Sequence, residues 1–462
     1  MRTRLPSLVW LLGSALVLNI AAACPALAAS RGNCKVESTT FDGWQGQELS
    51  NDWVKLTFVP RLGGRLMQVR FGDHDYLFIN PKYKGQYFPP MQPGQESHWI
   101  NYGGDKIWPL PEGTGDDQHW PGPISDNLDD GDYQFSVVNQ SQTCTVRLEG
   151  LADRRTGLQY SRDISITSDS PGIHFHAVMK NASERAIRWS VQSVSQYNTA
   201  DHSDPAKYNR DFWAIAPVNS ASAYTGAYWV RAGLSDDPSF EVKDGLFRLH
   251  WIYLENEVWL DSTAGWVAVV DNSDQYAMIE RFRFDPHAEY PGKASIIFYK
   301  NGAALELDTN GMPVLRSSNP AQAPYYMEAE LNSPMIALNP GQSYAMDTEW
   351  FPIRATEHLT SVTEVGAAEN LTATVTAQGV RLHGTLSVFF PGTLVAQILD
   401  SQGSKISKID LLAADPLHIV NLDRIIPVSA TADRVSIHFA DDRGTDRGAL
   451  VEAKIARSEK SS

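Results

Sequence analysis

Two glutamates spaced two apart, in Tyr325-Tyr326-Met327-Glu328-Ala329-Glu330-Leu331, are the residues of this chain best arranged to move protons. In a strand alternate side chains share a face, so Glu328 and Glu330 lie about 7 Å apart on one side while Met327 and Ala329 take the other. Two carboxyls facing one pocket raise one pKa, which makes a general acid or base available near neutral pH. The same spacing is also that of the exposed polar face of an amphipathic strand.

A second concentration of chemistry surrounds Asn101-Tyr102-Gly103-Gly104-Asp105-Lys106-Ile107-Trp108-Pro109-Leu110-Pro111-Glu112-Gly113. Trp99, Trp108 and Trp120 fall within 22 residues, interleaved with His98, Asn101, Asp105, Lys106, Asp116, Asp117 and His119. A sugar offers C–H faces that stack on aromatic rings and hydroxyls that need in-plane donors and acceptors, so this mixture has the composition of a carbohydrate pocket. For Trp108, ordinary core packing explains the residue equally well. Gly103 and Gly104 permit positive φ and a close backbone approach, and Pro109 and Pro111 stiffen the chain just downstream, so a rigid polar loop offered to a ligand is expected. A tight structural turn would use the same residues.

Strands must position these groups. Period-2 patterning recurs in Trp53 to Val59, Tyr133 to Val138, Gly172 to Val178 and Trp266 to Val270, and the only helical patch suggested is around Asp204 to Trp213. The class is therefore all-β with many short strands. None of the 13 tryptophans lies beyond Trp350, and residues 356–369 read as a Ser/Thr/Ala/Glu-rich connector. Strand patterns resume at Leu371-Thr372-Ala373-Thr374-Val375, Thr393 to Leu399 and Arg434 to Phe439. A large β domain over residues 35–355 and a small immunoglobulin-like sandwich over 370–456 are expected.

The first 28 residues have a basic start, an apolar run and a small-x-small site at Ala26-Leu27-Ala28, the pattern of a secretory signal peptide. A secreted or periplasmic protein, with no membrane segment once the signal is removed, is expected. In that compartment Cys34 and Cys144 are expected to pair. The formal charge of −15, without a basic stripe, speaks against nucleic acid as a partner.

The chain has no G-x-S-x-G, H-E-x-x-H, Walker or G-x-G-x-x-G motif, so nucleotide and zinc-protease chemistry of those kinds is excluded. No cofactor is called for. Asp126-Asn127-Leu128-Asp129-Asp130-Gly131-Asp132 is not an EF-hand, because Leu128 takes a ligand position and Val137 stands where the bidentate Glu belongs. An irregular calcium site stays open there, beside the simpler reading of a solvated acidic turn. Asp261, Asp285 and His287 are polar groups next to aromatics that fit turn or edge positions.

Four segments together resemble the galactose mutarotase-like superfamily: Pro60-Arg61-Leu62-Gly63-Gly64-Arg65-Leu66, Tyr102-Gly103-Gly104, Tyr326-Met327-Glu328-Ala329-Glu330, and Leu338-Asn339-Pro340-Gly341-Gln342-Ser343-Tyr344. Asn-Tyr-Gly-Gly-x-Lys-x-Trp-Pro with the later Trp120-Pro121 is similar to a bacterial branch of unassigned function. The resemblance implies a β-supersandwich with a sugar cleft, a saccharide ligand, and Glu328 in the place of the base that takes the anomeric proton, with Glu330 where the family has Gln. Mutarotases carry histidine where this chain has Tyr102, and the strand Trp189 to Tyr197 lacks the histidine that acts as acid. Gln192 and Gln196 stand there instead and bind hydroxyls without protonating them. Lys106, His119 and His202 are left as candidate acids. Asn101, Tyr102, Gly103, Gly104, Asp105, Trp108, Trp120 and Arg65 complete the candidate binding set. A glycan-binding module without turnover, and a hydrolase or lyase with paired carboxylates, are the alternatives.

Overall fold

A computed structural model of the chain describes residues 33–91, 99–113, 116, 118–122, 124, 126–307, 313–315 and 324–457. The expected signal segment, His98, Asp117 and the tail from Ser458 lie outside the described residues.

Alternation of apolar and polar residues builds long antiparallel strands, as the sequence predicts. Leu158–Thr167 is a clear case: Leu158, Tyr160, Arg162, Ile164 and Ile166 are buried, and the residues between them are half-buried. The strands assemble into two large sheets. The first runs Lys35–Phe41, Trp44–Ser50, Val54–Val59, Arg65–Phe71, Asp105–Leu110, Ile187–Asn198, Tyr326–Asn332, Ile296–Lys300, Asn256–Leu260, Trp229–Gly233. The second runs Phe240–Lys243, Leu246–His250, Phe212–Pro217, Trp266–Asp271, Tyr276–Phe282, Ser343–Arg354, Ile173–Asn181, Leu158–Thr167, Thr143–Glu149, Gln134–Gln140.

One face of each sheet is apolar, and the two meet in a shared core. Phe298 of the first sheet stacks on Phe247 of the second with ring centroids 6.2 Å apart. Met327, Ala329 and Leu331 belong to the same core, each contributing through apolar area removed from water. Polar links cross it as well: Arg162 Nη2 donates to Asp105 Oδ2 at 2.6 Å, and the Tyr197 hydroxyl donates to Glu280 Oε1 at 2.5 Å. At one end the disulfide Cys34–Cys144 ties residues just before the first sheet's edge strand to the second sheet, with Cα atoms 5.9 Å apart.

Two sequence expectations need correction. Asp105–Leu110 is a strand near the middle of the first sheet, where a loop was expected. Pro109 is tolerated because this strand pairs along its length with Ile187–Asn198 only, meeting Arg65–Phe71 at the single pair Leu66 and Asp105. Asp204 to Trp213 forms turns and no helix, with the Asp204 carboxylate accepting from Ala206 N at 3.2 Å; the strand Phe212–Pro217 begins at its end. The side chain of Asp204 competes for the amides that a helix would use.

The C-terminal strands form a third sheet, Lys405–Ala414, Gly392–Leu399, Arg434–Ala440, Asp446–Ala456, Gly366–Thr376, Gly379–Val388, Val420–Ile426. It has its own apolar cluster around Leu382, Leu394, Ile437 and Phe439. Phe389 stacks on Phe351 of the second sheet with ring centroids 4.2 Å apart, and Ser387 Oγ donates to the Arg354 carbonyl at 2.6 Å.

Candidate active site

Register places the chemistry. On the face of the first sheet turned away from the shared core, Gln196, Glu328, Tyr299 and Glu257 occupy one cross-strand row. Lys106, Val194, Glu330, Ile297 and Trp259 occupy the next, and Trp108 stands opposite Gln192 beyond it. Trp99, Leu110 and Glu112 close the space over these rows into a pocket of about 190 Å³. That volume is below the usual range of about 300–1,000 Å³ for small-molecule sites and suits a single sugar ring.

Aromatic rings form its walls. Trp99 packs edge-on to Trp108 at 6.2 Å, and Trp229 packs edge-on to Trp259 at 5.4 Å. Trp108 is held by its indole nitrogen, which donates to Asp129 Oδ1 at 2.8 Å; the same oxygen takes Arg65 Nη2 at 2.7 Å. Behind Trp108, Trp120 is fully buried at a centroid distance of 5.2 Å.

Four carboxyls face this space: Glu112, Glu257, Glu328 and Glu330. Glu328 accepts from Gln196 Nε2 at 2.5 Å and lies 3.6 Å from Lys106 Nζ. The Lys106 ammonium also sits over the Trp108 ring, 4.2 Å from its centroid. Glu330 accepts from the Gln192 amide. Burial pushes the Glu330 carboxyl well above the usual carboxylate range, and its neighbours Glu328, Glu257 and Glu112 push the same way. Burial likewise lowers the Lys106 ammonium, against the pull of Glu328. At the rim Arg231 reaches Glu257 at 2.9 Å and Glu112 at 3.4 Å. Burial raises Glu112 to about 7 in spite of that guanidinium.

Of the residues singled out from sequence, Glu328, Glu330, Trp108 and Gln192 line the pocket; Lys106 and Gln196 hold Glu328. Arg65 acts one step removed, through Asp129 and Trp108. The others stand elsewhere, for identifiable reasons. Asp105 alternates with Lys106 and so points into the shared core, where it meets Arg162. Tyr102 packs with Trp44, Leu62 and Met67 in a separate apolar cluster, its oxygen accepting from Phe88 N at 2.9 Å, with burial raising the phenol to about 12. Asn101 is buried and caps its own turn, accepting from Gly103 N at 3.1 Å. Gly103 and Gly104 serve packing: a Cβ on Gly103 would meet the Phe78 carbonyl oxygen at 2.1 Å, and one on Gly104 the Leu66 carbonyl oxygen at 2.7 Å. His119 is half-buried, outside the pocket lining, and bound to Asp116 at 2.8 Å, and His202 stands against Asp271 and Asp274.

Within the Asp126–Asp132 turn, residues 128–131 are buried and only Asp132 is exposed, where a solvated turn was the simpler expectation. Asp126 accepts from the Trp120 indole at 3.0 Å and from Leu128 N and Asp129 N at 2.9 Å, so the turn props the tryptophan pair.

Sequence reasoning missed Glu112, Glu257, Trp259, Tyr299 and Arg231. One signal was present: Glu257 and Trp259 have the same i, i+2 spacing as Glu328 and Glu330. A larger cleft of about 660 Å³ involves His174, His176, Arg281 and Asp347, but its polar groups are taken up by one another: His176 by Asp347 at 2.7 Å, His174 by Glu349 at 3.2 Å.

No protein-family model and no curated protein matches the sequence. Among solved structures, the chain is similar to a TPR-domain containing protein from Parabacteroides distasonis at 13% identity and TM-score 0.45, covering 70% of this chain and 49% of that one. It therefore spans about half the length of that protein. A galactose mutarotase related enzyme from Lactobacillus acidophilus is similar at 12% identity and TM-score 0.39, with 68% of this chain and 98% of that chain covered. A galactose mutarotase-like protein from Clostridium acetobutylicum is similar at 9% identity and TM-score 0.42, with 70% and 99% covered. At such identities, what the pocket does has to be read from its own groups. Among the described residues no helix is long and apolar enough to cross a membrane.

Proposed function

We propose that the pocket binds one saccharide unit and that Glu328 and Glu330 transfer protons at or near its anomeric centre. The observation that carries this is the unequal surroundings of the two carboxyls: Glu328 faces the Lys106 ammonium at 3.6 Å, while Glu330 is buried against Glu328, Glu257 and Glu112, which raises its pKa. Two acids whose surroundings separate them in this way divide into base and acid. Glu328 takes the proton from the anomeric hydroxyl; Glu330 gives one to the ring oxygen. The C1–O5 bond opens to the free aldehyde, and reclosure on either face with the protons returned exchanges the anomers. Glu330 thus fills the acid role that neither Tyr102 nor the strand around Gln192 supplies. Trp99, half-buried at the pocket's edge, offers a stacking face for the ring.

A second reading, glycan binding without turnover, is supported by Gln196 and Gln192, which already hold Glu328 and Glu330 in hydrogen bonds. The N-terminal sequence and the disulfide support a secreted or periplasmic site of action.

The test is anomer exchange of freshly dissolved α-aldoses, followed by polarimetry or NMR. Acceleration that disappears in Glu328→Gln and Glu330→Gln is expected. Binding of a sugar without acceleration across a panel of aldoses would leave the binding reading, and release of reducing ends from oligosaccharides would replace both with hydrolysis.

A further inference from the structure

Away from the carboxylate pocket, four side chains from separate elements converge: His74 from the short strand His74–Asp75, His202 from the segment after Ile187–Asn198, Asp271 at the end of Trp266–Asp271, and Asp274 from the turn just beyond it. One nitrogen or oxygen of each lies within 4.8 Å of the others. Their arrangement is ordered. His202 Nε2 is 3.3 Å from Asp271 Oδ2, and His202 Nδ1 is 2.9 Å from Asp274 Oδ2. Asp271 is fixed by its other oxygen, which accepts from Asn209 Nδ2 at 2.7 Å and Ser273 Oγ at 2.6 Å.

Two atoms in this cluster are buried without a hydrogen bond: Asp271 Oδ2 and His74 Nδ1. Leaving polar atoms buried in this way is costly, and such atoms often mark a ligand. His74 is 4% exposed, and a neutral imidazole keeps one ring-nitrogen lone pair that can bind a metal. Its ring lies nearly parallel to that of His202, with centroids 4.9 Å apart.

We infer that His74, His202 and Asp271 form a binding site for one divalent first-row transition metal, with Asp274 orienting His202. Bonds of about 2.0–2.1 Å in tetrahedral geometry place donor atoms about 3.4 Å apart, close to the separation of His202 Nε2 and Asp271 Oδ2. A carboxylate on the far nitrogen of a ligating histidine fixes its tautomer and aims the other nitrogen at the metal, and Asp274 stands in that place. Two imidazoles and one carboxylate suit zinc or a similar ion; calcium wants six to eight oxygens. Three protein ligands leave a further coordination position, and His202, at 33% side-chain exposure, keeps the cluster in reach of solvent. None of the four residues lines the carboxylate pocket, so the site stands or falls independently of the sugar reading.

The experiment uses untagged protein stripped with chelator, equilibrated with zinc, gel-filtered and assayed for bound metal. One zinc per chain is expected, with affinity falling about 100-fold or more in the His74→Ala/His202→Ala double variant and about 10–100-fold in Asp274→Asn. Cobalt binding to the wild-type protein gives a readout that needs no variant: an intense tetrahedral spectrum supports the site. A wild-type protein that retains no zinc, a double variant that retains it unchanged, or a weak octahedral cobalt spectrum would overturn the inference and leave His202 as a side chain bridging two aspartates.

Discussion

The Lys106 ammonium lies 3.6 Å from Glu328 and 4.2 Å from the centre of the Trp108 ring, so one buried cation serves both the carboxylate and the aromatic wall of the pocket. Lys106→Met leaves a buried carboxylate without its cation. A loss of roughly 3–5 kcal/mol in urea unfolding is expected. Adding Glu328→Gln to the same chain should restore most of that stability and none of the activity. A double variant as unstable as the single one would show that Lys106 acts through packing alone.

If Glu330 is the acid, turnover requires its protonated form. Activity should fall as pH rises through the elevated Glu330 pKa, because the proton to be donated is then lost. Glu330→Gln should reduce the anomerisation rate by about 10²–10⁴ while sugar binding, measured by calorimetry, persists. Unchanged rates in that variant would remove Glu330 from the mechanism.

Three buried acids set a stability profile. Burial raises Glu112 and Asp126 to about 7 and Glu280 to about 8. Each carboxyl binds its proton more tightly in the folded chain than in the unfolded one. Their contribution is therefore fully present below the unfolded pKa and is lost as pH rises through about 7 to 8. The melting temperature should be higher near pH 5 than near pH 9, and Glu280→Gln should flatten the upper part of that slope. A melting temperature that climbs over this interval would contradict the assignment.

Much of this site was legible in the sequence, and the limits have physical causes. Glu328 and Glu330 could be paired on one face because strand alternation is a local rule. Cys34 and Cys144 could be paired because they are the only cysteines outside the expected signal segment. The strand Asp105–Leu110 was hidden by Pro109, which reads as a breaker until it is known that the strand has a full partner on one side only. That same misreading put Asp105 in the pocket. Glu257, Trp259 and Tyr299 were out of reach, because only the register of three strands, Tyr326–Asn332, Ile296–Lys300 and Asn256–Leu260, brings them beside the glutamate pair.

The glycine pair offers a direct comparison. Gly103 has φ 95° and a Cβ there would overlap the Phe78 carbonyl, whereas Gly226, at φ 79°, has nothing within 4 Å. Gly226→Ala should cost about 1–2 kcal/mol from backbone conformation alone. Gly103→Ala should cost several times as much or prevent folding, as read by denaturant melts. Equal costs would show that the strand can shift to make room.

The disulfide closes a span of 110 residues between the two large sheets. Reducing it, or the Cys34→Ser/Cys144→Ser variant, should lower stability by roughly 4–5 kcal/mol in the chain-entropy model. A free energy of unfolding indifferent to reductant would show that the sheets' shared core already holds these ends together.

The alternation along Tyr326–Asn332 carries a constraint of another kind. Sliding this strand by a single residue against its neighbours would send Glu328 and Glu330 into the apolar interior and turn Met327, Ala329 and Leu331 outward. The glutamate pair cannot be re-aimed without dismantling the sandwich. Variation in what the pocket accepts must therefore arise at its lid and rim, from Trp99, Glu112 and Arg231, while the floor is inherited with the fold.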